Sequence, residues 1–191
     1  MGLFYKASRN ERFDARVNIF VNSGIPALER NGFSKSPYKG SRFGEYAGGA
    51  RVYDLCRLTA NSHLETITTY ISQKDRWIQI YLNIFDLKPA PSSLQQLGGL
   101  NCIQFFQAPN ANSRMRLRLD DTKGMPLFRF VEHKVKRYFT KWGFKRSVAA
   151  LDQLIGKDLT NIHSFIARWH QLHQPLITDW EGNVPVGVKD T

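Results

Sequence analysis

The amino-acid sequence predicts an α+β fold: an antiparallel sheet of about four to five strands, flanked by an N-terminal helical segment and a C-terminal set of about three helices. Three observations predict it. Residues 76–87 (RWIQIYLNIFDL) alternate with period two, placing Ile78, Ile80, Leu82 and Ile84 on one face and Trp77, Gln79, Tyr81, Asn83 and Phe85 on the other. Residues 64–72 (LETITTYIS) alternate in the same sense, and the four residues 73–76 between them suit a hairpin loop. Both ends of the chain change to a period of 3.6.

The elements follow in chain order. Asn10 is placed to cap a helix with apolar positions Phe13, Val17, Phe20 and Val21. Residues 23–26 (SGIP) break or kink it, because Pro26 lacks a donor and restricts Ile25. A short helix over 26–31 then ends at Gly32 in a left-handed cap, with Phe33 folding back on the last turn. A similar Gly-Phe step at Gly143-Phe144 predicts another helix end, by convergent use of the same cap and not by duplication. Residues 34–50 are rich in Gly and Ser, interleave Lys35, Lys39 and Arg42 with Tyr38, Phe43 and Tyr46, and read as a long basic-aromatic loop.

Strands are predicted over 51–59, 64–72, 76–87, 101–107 and 113–119. A four-residue loop pairs Ile71 with Ile78, Thr69 with Ile80 and Ile67 with Leu82 on one face. On the other it pairs Ser72 with Trp77, Tyr70 with Gln79 and Thr68 with Tyr81. Residues 88–93 punctuate the chain, 94–100 suit a short helical turn and 109–112 a turn. In 113–119, Met115, Leu117 and Leu119 oppose Arg114, Arg116 and Arg118. Beyond Pro126, Phe128, Val131, Val135, Tyr138, Phe139 and Trp142 form a helical stripe opposite Arg129, His133, Lys136, Arg137 and Lys141. A shorter helix over 147–155 should stop at Gly156. Asp158 should cap a last helix carrying Leu159, Ile162, Phe165, Ile166 and Trp169, and 176–191 reads as a tail anchored by Trp180.

Composition bounds the function. The 191 residues read as one domain, and 42% hydrophobic content with 13% aromatics excludes wholesale disorder. The net charge is +11, and 12 basic against 4 acidic residues fall within 111–157. Such an excess suits a polyanion or an acidic protein. Cys56 and Cys102 lack metal-ligand spacing and read as buried free thiols. With no signal-like start and no apolar run of membrane-spanning length, the sequence predicts a cytoplasmic protein without a membrane partner.

The candidate binding residues are Trp77, Tyr81, Phe85 and Tyr70 with Arg114, Arg116 and Arg118 on one sheet face, joined by Lys39 and Arg42 from the loop and by Lys136, Arg137 and Lys141 from the basic helix face. Rings beside guanidinium groups suit single-stranded nucleic acid, whose bases stack while its phosphates pair with Arg. Other chemistry is thinly supported. Residues 34–50 hold neither a Walker pattern nor G-x-G-x-x-G. His163, His170 and His173 share a helix face without a completing ligand, and Asp120-Asp121 reads as a turn, so no cofactor, metal or catalytic residue is assigned. The leading expectation is a non-enzymatic protein that binds nucleic acid. The alternative is a protein-binding module, such as an immunity or antitoxin protein that blocks an acidic partner. The third is an enzyme whose active site the sequence does not reveal.

Overall fold

The computed structural model describes residues 5–59, 62–121 and 132–185, and the architecture is α+β. Helix α1 (Arg9–Ile19) starts at Ser8, not Asn10: the Ser8 hydroxyl accepts from the Glu11 amide while the Glu11 carboxylate accepts from Ser8, a reciprocal capping box. The expected break at residues 23–26 is absent. Residues Phe20–Gly24 widen into a π-helical turn, with the Ile25 amide donating to Phe20, and the chain passes directly into α2 (Ile25–Arg30), so the turn where the bonding widens lies immediately before Pro26, which has no amide proton to give. The predicted cap follows. Gly32 has φ +83°, its amide donates to Glu29 and that of Phe33 to Leu28, so the buried Phe33 closes a Schellman motif.

Among the described residues seven strands build the sheet: β1 (Ser34–Lys35), β2 (Phe43–Ala47), β3 (Ala50–Leu58), β4 (His63–Ser72), β5 (Gln79–Leu87), β6 (Met115–Arg116) and β7 (Leu176–Thr178). The main order is β1-β3-β4-β5-β6, all antiparallel. β2 shares the outer edge of β3, and β7 pairs with β5 in parallel. Residues 34–50 are therefore largely sheet edge and not a free loop. The hairpin takes the predicted register, with Ile67 opposite Leu82, Thr68 opposite Tyr81, Thr69 opposite Ile80 and Tyr70 opposite Gln79. Because Ile78, Ile80, Leu82 and Ile84 are all fully buried on one face, a slip of one residue would take all four out of the main core.

Among the described residues the C-terminal set holds two helices, α3 (Lys141–Thr160) and α4 (Ile162–Leu172). Gly143 lies in the first turn of α3, where its amide donates to the Thr140 cap, so the second Gly-Phe step opens a helix and does not end one. The helix runs through Gly156 and ends at Asn161, while Asp158 is buried in its last turn and caps nothing. Part of the predicted helix beyond Pro126 lies outside the described residues. Its described part, 132–140, is extended: Trp77 bridges Lys134, the Ile78 amide donates to His133 and that of Val135 to Arg76. This stretch satisfies β5 where the hairpin begins. Residues 101–107 also depart from the predicted strand. They form a 3-10 turn at Ile103–Phe106 that buries Cys102 and Phe105, three apart, and exposes Ile103 and Phe106.

The aliphatic face of the sheet lies under α1, α2, α3 and α4 in one large core that includes Phe20, Leu28, Leu55, Ile155 and Trp169. The opposite face divides. At one end Cys56, Leu64, Phe85 and Leu87 are covered by Leu97, Cys102 and Phe105 in a second core, and Trp180 packs there with its indole donating to Pro89. The other end carries Tyr70, Gln79 and Tyr81.

Candidate nucleic-acid interface

Register assembles the open end. On β5, Tyr81 lies directly opposite Arg116 of β6 and across from Thr68 of β4, and Tyr70 is opposite Gln79. Alternation then sends Tyr70, Gln79, Tyr81, Arg114 and Arg116 to one side of the sheet. The Arg114 guanidinium carbon sits 3.7 Å from the Tyr81 ring centre and 5.3 Å from that of Tyr70, and the two tyrosine rings meet edge to face at 5.9 Å. Arg116 lies 5.6 Å from the Trp77 ring centre and 6.0 Å from that of Tyr81. Contacts of this kind are worth about 0.5–1 kcal/mol when exposed and more when dry, enough to keep the cations beside the rings. Tyr70, Trp77, Tyr81, Arg114 and Arg116 are all half-buried, so rings and guanidinium groups share the presented surface.

A relay of hydrogen bonds fixes this arrangement from the far side of the sheet. Tyr81 donates to Gln79 at 2.9 Å, Gln79 donates to Asp75 at 2.8 Å, and Asp75 accepts from Arg16 at 3.0 Å. Arg16 is fully buried in α1 and also donates to the carbonyls of Arg12, Ser72 and Trp77. Burial lowers its pKa, and the Asp75 carboxylate opposes that shift. Sequence reasoning missed Arg16 although it lies three residues from Phe13 and four from Phe20, on the apolar face of the predicted helix, where a cation was the available signal.

Two sequence-predicted members leave the site. Phe85 is 1% exposed and belongs to the second core, because residues 94–113 fold over its end of the sheet. Arg118 has φ +60°, which ends the strand alternation in a turn and carries its side chain to the helical face, where it forms a forked pair with Asp158 at 2.9 and 2.7 Å. There His133 Nε2 donates at 2.7 Å to Oδ2 of Asp158, the oxygen that also accepts from Arg118 Nε. Burial alone would raise the Asp158 carboxyl, but the bonds from His133 and Arg118 outweigh it and hold the group below the usual carboxylate range. The predicted turn at Asp120 is present, its carboxylate accepting from the Arg116 amide.

The remaining members flank the platform. Arg42 lines a cavity of about 330 Å³ with Tyr70, Asp54, Ile103 and Phe106, and Lys39 is exposed on the same loop. Asp54, missed in the sequence, lies beneath, accepting from Thr68 and the Arg42 amide; burial raises its pKa. On the other side, Lys136 and Arg137 stand on the extended segment and not on a helix. With Lys74, Arg76 and Lys134 they line a groove of about 460 Å³ running from Trp77, whose one acid, Asp75, is already paired with Arg16. Lys141 is exposed at the start of α3.

Cys56 and Cys102 are buried and free, and burial pushes the Cys56 thiol up to about 12, so neither presents a thiolate. Among the described residues no His, Cys, Asp and Glu side chains group as metal ligands, and no helix is long and apolar enough to cross a membrane. No family model, curated protein or solved structure matches the chain.

Proposed function

We propose that the protein binds single-stranded nucleic acid, with the Tyr70, Trp77, Tyr81, Arg114 and Arg116 platform taking bases and the adjoining groove taking phosphates. The observation that carries this reading is the state of the two arginines. Neither Arg114 nor Arg116 forms an ion pair among the described residues, both are half-buried, and their guanidinium carbons lie 3.7 Å from the Tyr81 ring centre and 5.6 Å from that of Trp77. Arginines held beside rings without an anionic partner favour phosphate oxygens and base edges, and guanidinium planes stack on bases. Fluorescence anisotropy with labelled single-stranded DNA, single-stranded RNA and duplex tests it. Single strands should bind at low salt, and Trp77→Ala should weaken them more than duplex; no binding to any of the three would end the reading.

An acidic protein partner is the second reading. Phe139 and Trp142, 67% and 69% exposed beside Arg137, Lys141 and Arg146, have the aromatic and arginine composition of interface hot spots. Capture of one stable acidic protein that displaces labelled oligonucleotide, with oligonucleotide itself bound only weakly, would favour it.

A further inference from the structure

Resting on the single-strand reading above, we infer that the bound strand continues past Trp77, along the basic groove, to a second stacking site at Phe139 and Trp142. Three observations carry this. The first is direction. Residues 133–135 pair antiparallel with the start of β5, with Trp77 opposite Lys134, so going from Tyr81 back to Trp77 and from Lys134 on to Phe139 is travel the same way. At about 3.3 Å per extended residue the nine steps span at most roughly 30 Å.

The second is charge. The groove beside Trp77 is lined by Lys74, Arg76, Lys134, Lys136 and Arg137, and it shares Arg76 and Arg137 with a further hollow of about 320 Å³ that adds Lys6 and Arg12 and ends at Tyr138 and Phe139. Cations therefore border the whole path, as a phosphate backbone requires. The third is the state of the rings. Phe139 and Trp142 are 67% and 69% exposed. The backbone at Phe139 is fixed, because its carbonyl accepts from the Tyr5 amide, and Arg146 lies 5.4 Å from the Trp142 ring centre. Large exposed rings at the end of a cationic groove suit bases, since every base has a face to stack.

The geometry also sets the ligand length. At the 3.4 Å per nucleotide of a stacked strand, about nine nucleotides cover the path, and a tetranucleotide reaches only one end even when stretched twofold. The test is anisotropy at low salt with labelled oligo(dT) of 4 and 16 nucleotides, comparing wild type with Phe139→Ala/Trp142→Ala and with Phe139→Trp. Both rings are exposed, so thermal melts should show the variants fully folded. The double variant should bind the 16-mer at least about tenfold more weakly, as expected for two lost stacking contacts. Its affinity for the 4-mer should change less than threefold, and Phe139→Trp should keep or strengthen 16-mer binding. If the double variant binds the 16-mer like wild type, the second site is wrong while the single-strand reading stands. If wild type binds neither length, the reading itself fails. Binding of phosphatidylserine vesicles that depends on Phe139 and Trp142, with the 16-mer unaffected by their loss, would overturn the inference and reassign the rings to a lipid surface.

Discussion

Replacing Arg16 by Met keeps the length and apolar stem of the side chain but removes a guanidinium that makes four hydrogen bonds, to Asp75, Trp77, Ser72 and Arg12, at 2.8–3.0 Å. Losing one partner of a buried ion pair typically costs about 3–5 kcal/mol, because the other charge stays unpaired. Asp75 is 15% exposed and regains some water, which favours the lower end, near 3 kcal/mol. For a chain of this length 1 kcal/mol corresponds to roughly 2–4 °C, so Tm should fall by about 6–12 °C. Chemical denaturation should show the same loss without a change in slope. Asp75→Asn in the Arg16→Met background should return part of it, since the stranded charge is gone. The relay through Gln79 to Tyr81 adds a functional consequence: oligonucleotide affinity should fall even at temperatures where the variant is folded. A Tm within 2 °C of wild type would refute the reasoning that Arg16 pins the hairpin to α1.

Two further predictions concern other parts of the fold. Asp158 has its pKa lowered by its partners, so its contribution to stability is present in full above the unfolded value near 3.8 and is lost as pH falls through the lower folded value; denaturation of wild type and Asp158→Asn should therefore differ at pH 7 and converge in strong acid, and a difference constant with pH would contradict the His133-Asp158-Arg118 assignment. Gly182 has φ +89°, and a Cβ there would come within 2.8 Å of the Phe105 amide nitrogen, so Gly182→Ala should cost about 2 kcal/mol and lower Tm by roughly 4–8 °C; an unchanged Tm would show that residues 179–183 do not hold the second core.

Much of the sheet was legible in the sequence. The hairpin register followed from two alternating segments that agree on their buried side and from a short loop between them, information that is local and period-two. The Gly32 cap was equally local. The misreadings arose where tertiary demands overrode pattern. Residues 132–140 have helix-like apolar spacing, yet they supply the partners β5 needs at its first residues, which leaves Phe139 and Trp142 exposed and not in a stripe. The turn at Arg118 carries no Gly or Asn to announce a positive φ, so the third arginine looked like the first two. Phe85 alternates correctly with Tyr81, but burial depended on whether residues 94–113 cover that end, which spacing does not encode. Within the site, Trp77, Tyr81, Tyr70, Arg114 and Arg116 were nameable because they share a strand face. The basic groove was not, since Lys74 and Arg76 meet Lys134 and Arg137 only through pairing about 60 residues apart.

The central claim is that the platform and groove together hold a single strand by its phosphates and bases. The salt dependence of oligo(dT) affinity tests it most directly, because for single strands the slope of log K against log salt is about −0.7 for each phosphate neutralised. Seven cations line the platform and groove, Arg114, Arg116, Lys74, Arg76, Lys134, Lys136 and Arg137, so the slope should lie between about −3 and −5. Arg114→Ala/Arg116→Ala should make it shallower by about 1.4. A slope near zero, or one that the double substitution leaves unchanged, would contradict the account.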